Sequence, residues 1–265
     1  MLEKYFENNK KLWNERTPIH VNSDFYANEE FIAGKNSLNK LELDEIGDVK
    51  GKSLLHLQCH FGQDTLSFAR LGAKSTGVDF SDEAIKNARE MNERIGLDTQ
   101  FVNCNIYDLK DNLDKKFDII FTSYGVIGWL PDLKEWANII NHFLKSGGFF
   151  YIVEFHPLVW MFDDNLEKVE YPYFNTNEPL AIQQTTTYAD TSQKLDGMEY
   201  SWNHSISEVY NSLKHAGLEI EFIHEFPFSC YNIFPDMYQE ADGCWRMKKF
   251  GEKLPMMFSM KAKKP

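Results

Sequence analysis

The stretch Ser53 to Asp64, reading Ser-Leu-Leu-His-Leu-Gln-Cys-His-Phe-Gly-Gln-Asp, constrains this chain more than any other. Ser53 to Leu57 has the character of a short buried strand, and Thr65 to Leu71 has helical spacing with Leu66, Ala69 and Leu71 inward. The join leaves room only for a tight turn. A strand feeding a helix this way aims helix amides at the space beyond the strand's carboxyl end, where ligands bind in open α/β sheets. By itself the turn is equally an ordinary βα connection. A second strand, Ser75 to Val78, ends in Asp79, roughly 20 residues on, where a carboxylate can accept both hydroxyls of a ribose. Ser81 then caps a helix that carries Asp82 and Glu83 in its first turn and turns Ala84, Ile85, Ala88, Met91 and Ile95 to the sheet. Turn, acid and a third strand together describe a nucleoside-binding half-domain.

The remaining pattern extends that unit. Gln100 to Asn103 is the third strand and Phe117 to Tyr124 a fourth that runs into a loop. Asp132 opens a helix with Leu133, Trp136, Ala137, Ile140, Phe143 and Leu144 as its core stripe. Gly147-Gly148 reads as its cap, and Phe149 to Phe155 as a strand buried on both faces. Ser205 and Glu208 form a capping box for another helix, which Gly217 stops. Leu218 to Glu225 and Pro255 to Ala262 are the last two strands; no helical pattern separates them, so the last returns antiparallel. The expected fold is α/β, a Rossmann-like doubly wound seven-stranded sheet with an antiparallel last strand. Residues 51–265 make that domain, with an insertion at about 156–204 that lacks a core pattern of its own and a second, loop-rich one at about 227–252. Residues 1–50 form an N-terminal helical cover: one helix with Leu2, Tyr5, Phe6, Leu12 and Trp13 on a face, ended by Pro18, and a second over Lys35 to Ile46.

Composition excludes several classes. A net charge of −12 over 265 residues repels phosphate backbones and anionic membranes, which predicts no nucleic-acid and no membrane partner. The cysteines, Cys59, Cys104, Cys230 and Cys244, have no CxxC or zinc spacing and read as reduced thiols. No apolar run approaches the ~20 residues that cross a bilayer. A cytoplasmic protein with a small-molecule partner and no metal is expected; oligomeric state is open.

At these residues the sequence resembles a class I S-adenosylmethionine-dependent methyltransferase, over about 50–155 by motif and 205–262 by topology. That family's first motif is typically Val-Leu-Asp-Leu-Gly-Cys-Gly-Thr-Gly. Here the register reads Leu54-Leu55-His56-Leu57-Gln58-Cys59-His60-Phe61-Gly62, with His56 for the acid and Gln58 and His60 for two glycines. It is similar to a bacterial small-molecule subgroup with Leu-Gln-Cys-His-Phe-Gly in this place. The resemblance implies S-adenosylmethionine as cofactor, held by Gln58, Cys59, His60, Gly62, Asp64, Asp79, Phe80, Ser81, Asn105, Ile106 and Ser123. It puts Tyr124 at the transfer site. His156 and His204, which flank the first insertion, are the candidate general bases.

Two rivals share the pattern. An NAD-dependent oxidoreductase has the turn and the ribose acid, but Gln58 and His60 crowd the approach that a pyrophosphate needs. A non-catalytic nucleoside-binding protein on the same fold is the other. For an acceptor pocket, the apolar bodies and polar tips of Trp13, His20, Tyr26, Trp160, Tyr171, Tyr173, Tyr188, Trp202 and His204 predict that the N-terminal stretch and the first insertion close over the cleft beside Tyr124.

Overall fold

The computed structural model describes residues 2–265. The strands β1 (Ser53–Leu57), β2 (Lys74–Asp79), β3 (Gln100–Asn103), β4 (Phe117–Ser123) and β5 (Leu144–Phe155) lie parallel to one another. A hairpin of β6 (Leu180–Gln184) and β7 (Gly197–Ser201) comes next in the chain, followed by β8 (Glu219–Phe226), a small hairpin of β9 (Met237–Gln239) and β10 (Trp245–Met247), and β11 (Met257–Lys263). The sheet runs β3-β2-β1-β4-β5-β11-β8, with β11 antiparallel to both neighbours, as the helix-free gap before the last strand predicts. Strand order reverses between β1 and β4, so a crevice opens beyond their carboxyl ends.

The sheet's pleat sorts its residues onto two faces. Leu55, Leu57, Ile120, Phe150 and Ile152 pack against helices α7 (Leu133–Phe143) and α8 (Ile206–His215), through Trp136, Ile140, Phe143, Val209 and Leu213. Leu54, Ile119, Phe121, Tyr151 and Val153 face the other way, toward Phe68 of α4 (Gln63–Arg70) and Ile46 of α3 (Lys40–Ile46). Helix α5 (Asp82–Ile95) packs with α4 through Leu66, Ile85, Ala88 and Met91. Ser81 and Ser205 cap α5 and α8 as their sequence positions predict, accepting from Ala84 N and Glu208 N.

Three local expectations are corrected. Pro18 does not end the first helix: α1 spans Glu3–Val21 with Pro18 inside it. The lost backbone bond is outweighed by the burial of Leu12, Arg16, Thr17 and His20 around it, and Thr17 Oγ1 and Asn22 Nδ2 bond to the Trp13 and Pro18 carbonyls. The second helix is not continuous over Lys35 to Ile46. A short α2 (Asn28–Ile32) precedes α3, and Asn39 between them is extended. Gly147-Gly148 is not a helix cap, because α7 stops at Phe143 and the chain passes directly into β5. Gly147 has φ +80° there, and a Cβ on Gly148 would lie 2.8 Å from the Asp118 carbonyl.

The first insertion's β6–β7 hairpin docks on α1. Asn9 exchanges two bonds with the backbone of Tyr200, and Asn8 Nδ2 donates to Met198 O. Arg16 pairs with Glu199 at 2.8 Å across 183 residues of sequence, with both side chains largely buried. Leu12 lies against Gly197, where a Cβ would come within 2.7 Å of it.

Candidate cofactor and acceptor site

The turn after β1 is built on unusual backbone angles. Gln58, His60 and Gly62 all have left-handed φ, at +54°, +53° and +84°. Glycine adopts this region freely, but a side chain there costs roughly 1–2 kcal/mol per residue. A Cβ on Gly62 would also lie 2.7 Å from the Phe101 ring and 3.1 Å from Ala88, so glycine is required there by space as well. At 58 and 60 the left-handed backbone carries full side chains. Such strain lasts only where its surroundings over-determine it, and it concentrates at ligand sites.

Asp79 explains part of that hold. One of its oxygens accepts from His60 N at 2.8 Å and the other from Ser81 N at 2.9 Å, so the tip of β2 grips the turn after β1. Burial pushes the Asp79 carboxyl up to about 6, against the pull of these amides. Gln58 Nε2 donates to Val126 O, which ties the turn to the loop after β4, while Gln58 Oε1 and His60 Nε2 are buried without a partner. His56 bonds to Thr65 Oγ1 and is held neutral by burial, its pKa lowered to about 3. Asp64 lies a few residues on, in the first turn of α4. It accepts from Ser37 Oγ at 2.6 Å and Ser123 Oγ at 3.4 Å, and burial raises its pKa.

These residues line one end of a cavity of about 850 Å³, at the large end of small-molecule sites. Of the expected cofactor residues, Gln58, Cys59, His60, Gly62, Asp64, Asp79, Phe80, Asn105, Ile106 and Ser123 reach it. Ser81 does not: its hydroxyl is spent on Ala84 N and Asn14 Oδ1, and it is fully buried as a helix cap. Asn105 caps the turn after β3, its Oδ1 accepting from Tyr107 N.

The other end of the cavity is aromatic. Trp13, Tyr26, Trp160, Tyr171, Tyr188 and Trp202 from the cover reach it, as does Tyr124 from the end of β4. His20 and Tyr173 are not on its wall. His20 lies one layer back, 5.1 Å from the His60 ring, bonded to Thr187 and neutral, with its pKa lowered to about 3 mainly by burial.

The two candidate bases are corrected. His156 does not border the cavity. Its Nε2 bonds to Glu225 at 2.8 Å and its Nδ1 accepts from Leu158 N, which leaves no free lone pair. His204 touches the cavity wall, but its Nε2 bonds to Leu130 O and its Nδ1 lies 3.1 Å from Glu208. His156 anchors the start of the first insertion to β8, and His204 anchors its end to the loop before α7 and to α8. Position in the sequence could not reveal that their nitrogens are occupied.

Residues that sequence reasoning passed over also meet here. Asn39, with Glu42 behind it, bonds to the hydroxyls of Tyr124 and Tyr231. Glu154, buried in β5, accepts from the amides of Gly125, Val126 and Ile127 and so fixes the loop after β4. One signal for Glu42 was present: it lies one turn before the apolar Ile46 on α3.

Residues 55–150 match a sequence family described as a methyltransferase domain. The chain is 28% identical over 134 residues to an uncharacterised methyltransferase of Synechocystis, covering 49% of this chain and 60% of that protein. It is 24% identical over 129 residues to a ubiquinone biosynthesis O-methyltransferase of Pseudomonas syringae, covering 48% and 55%. It therefore spans little more than half the length of these relatives. Among solved structures, an S-adenosylmethionine-dependent methyltransferase from Clostridium acetobutylicum superposes with TM-score 0.56 at 17% identity, over 93% of this chain and 94% of that one. A glycopeptide N-methyltransferase complexed with S-adenosylmethionine superposes with TM-score 0.55 at 17% identity, over 86% and 88%.

Proposed function

We propose that this chain is a class I S-adenosylmethionine-dependent methyltransferase and that it moves a methyl group from S-adenosylmethionine to a small-molecule nucleophile; the match of residues 55–150 to a methyltransferase domain and the shared fold support this reading. The observation that carries the reading is the turn after β1. Its three left-handed residues keep the backbone of a cofactor loop after two glycines have been replaced. The donor set fits the cofactor: Asp79 for the ribose hydroxyls, Asp64 for an ammonium group, and the orphaned Gln58 Oε1 for an N–H. The side chains of Gln58 and His60 fill space that a pyrophosphate would need, which favours S-adenosylmethionine over NAD.

When bound, the cofactor supplies a methyl group already activated by its sulfonium charge. The protein's own work is then to align donor and acceptor and to exclude water. The aromatic cover suits the second task. Among the described residues the cavity's cationic side chains are Arg16, in a buried pair with Glu199, and Lys35, in an exposed pair with Glu30, so an uncharged or cationic small acceptor fits better than an anionic one. A net charge of −12 supports a reading without nucleic-acid partners. Among the described residues no helix is long and apolar enough to cross a membrane. We place the protein in the cytoplasm on its reduced cysteines.

Calorimetry with S-adenosylhomocysteine and with NAD tests the cofactor. Binding of the first and not the second is expected; the reverse refutes the proposal. Production of S-adenosylhomocysteine across a metabolite panel then tests turnover. Cofactor binding without turnover on any acceptor supports the non-catalytic rival.

A further inference from the structure

The second insertion holds two cysteines, Cys230 and Cys244, and the fold sets them opposite each other. Ser229 N donates to Trp245 O and Trp245 N to Ser229 O, both at 2.8 Å, so Ser229 and Trp245 are a hydrogen-bonded antiparallel pair. The next position along such a ladder is a non-hydrogen-bonded pair, with Cα atoms about 4.5 Å apart and both side chains on one face. Here that pair is Cys230 with Cys244. Disulfides span Cα separations of about 4.4–6.8 Å, so the two sulfurs can meet with little backbone movement. Neighbouring bonds fix the register. Glu240 N donates to Cys244 O at 3.0 Å, Cys244 N to Asp242 Oδ1 at 2.9 Å, and Cys230 N to Met257 Sδ at 3.2 Å. Both thiols are free and half-buried.

The other two cysteines are placed differently. Cys59 follows β1 with its amide on Val78 O, and Cys104 follows β3 with its amide on Asp79 O. β2 runs between them, which puts them two strand spacings apart, roughly 9–10 Å, beyond the reach of a disulfide.

The facing pair adjoins the acceptor end of the cavity. Tyr231 follows Cys230 directly. Its hydroxyl accepts from Asn39 Nδ2 at 3.1 Å, its ring meets Tyr124 edge to face at 4.9 Å, and it stacks on Phe25 at 5.9 Å. All four residues line the cavity. Burial pushes the Cys230 thiol up to about 12 and raises that of Cys244, so neither reacts as fast as the low-pKa thiol of a catalytic centre. A slow, reversible response to oxidants suits such a pair, and it is the use that disulfides find among otherwise reduced cysteines.

We propose that Cys230 and Cys244 form a reversible disulfide by exchange with a small-molecule disulfide such as oxidised glutathione, and that this bond stiffens the cavity wall at Tyr231. The Cys244 thiolate, the less deeply buried of the two, attacks one sulfur of the small disulfide and expels the first small thiol. The Cys230 thiolate then attacks the Cys244 sulfur and expels the second. Two protein thiols give up two protons and two electrons, and one small disulfide becomes two thiols. The bond forms whatever the cavity binds, so the proposal stands apart from the methyl-transfer reading.

The test equilibrates the native full-length chain in glutathione buffers from fully reduced to fully oxidised, then alkylates and weighs it. Oxidation should lower the free thiols from four to two and the intact mass by two hydrogens. Non-reducing peptide mapping should join the peptides that carry Cys230 and Cys244 and leave Cys59 and Cys104 free. Hydrogen exchange at Tyr231 should slow by roughly tenfold or more in the oxidised protein and recover on reduction. Cys244→Ser should show no such change in the same buffers, and should it not fold, mapping of the unaltered chain still decides. Four free thiols in the most oxidising buffer, glutathione adducts in place of the internal bond, or a bond to Cys59 or Cys104 overturns the proposal. A Cys230–Cys244 bond that leaves exchange at Tyr231 unchanged overturns its action on the cavity wall.

Discussion

The two walls of the cavity are held by different physics. The wall at the carboxyl ends of β1, β2 and β4 is mostly backbone: three left-handed residues, amides gripped by Asp79, and a loop fixed by Glu154. The opposite wall is mostly side chain. Trp13 meets Trp129 and His60 edge to face at 5.3 and 5.2 Å, the Tyr26 and Tyr188 hydroxyls lie 2.5 Å apart, and a buried Arg16–Glu199 pair holds α1 to β7. A backbone wall can carry side chains in left-handed conformation, as it does at Gln58 and His60. A side-chain wall changes its shape with each substitution, so it is the natural seat of acceptor choice.

Cutting the cover's buried ion pair should give the largest effect. Glu199→Ala leaves the Arg16 charge buried, with its Nε already unpartnered, and such losses cost about 3–5 kcal/mol. Hydrogen exchange should accelerate across Gly197–Ser201 and α1 while β1, β4 and β5 stay protected. Equal acceleration in the sheet would break the comparison. The double variant Arg16→Met with Glu199→Leu should recover most of the loss. Next in size is Gly62→Ala, on the backbone wall. A left-handed alanine costs about 1–2 kcal/mol, and pressing its Cβ on Phe101 adds about 1–3 kcal/mol. Thermal unfolding should show a loss of at least about 2 kcal/mol, and unlike the first variant it should loosen the sheet.

The difference between the walls also explains what was legible in the sequence. The doubly wound seven-stranded sheet and the antiparallel β11 follow from local patterns, apolar runs and capping residues, each contained within a few positions. The cofactor end was legible as far as Asp79 and the Gln58–Gly62 turn, because a βα turn and the acid on the next strand are near each other in the chain. Ser81 was legible as a helix cap, and the structure keeps it in that role and off the cavity wall. The acceptor end depends on meetings such as Arg16 with Glu199 and Asn39 with Tyr231, which no short window contains. His156 and His204 stood out as chemistry-bearing residues, but their ring nitrogens are consumed by Glu225, Leu158, Leu130 and Glu208.

Asp79 gives the third effect. Asp79→Ala should weaken S-adenosylhomocysteine binding by about 1.5–3 kcal/mol, the scale of hydrogen bonds to a charged group. Asp79→Asn, which keeps one acceptor, should lose less. The pH dependence follows from the sign of the shift. Without cofactor the carboxyl titrates near 6, above its usual value, so below that pH it must give up a proton before it can accept from two hydroxyls. Affinity measured by calorimetry should be flat above about pH 7 and fall by up to tenfold per unit below about pH 6. The raised pKa also means that ionised Asp79 burdens the empty fold. Its contribution to stability is fully present below its unfolded value and is lost as pH rises through about 6. An affinity that is flat across this range, or unchanged in Asp79→Ala with the fold intact, would remove Asp79 from the ribose site.

The smallest effect is the one that separates backbone from side chain within the first wall. Gln58→Gly relieves a left-handed strain of about 1–2 kcal/mol. Against this, it gives up the bond to Val126 O, about 0.5–1.5 kcal/mol, and adds glycine's chain entropy, about 0.5–1 kcal/mol. These terms nearly cancel, so stability should change by less than about 1 kcal/mol. The buried, unpartnered Oε1 is the part of Gln58 with no structural use, and its removal should be felt only by the ligand. One neutral hydrogen bond is worth about 0.5–1.5 kcal/mol, so S-adenosylhomocysteine affinity should fall by roughly threefold to tenfold while the melting curve barely moves. If affinity is unchanged, the turn serves the cofactor through its backbone alone, and the contrast with the aromatic wall is sharper still. If instead the protein loses more than about 2 kcal/mol, the Gln58 side chain is holding the turn in place, and the backbone wall depends on side chains after all.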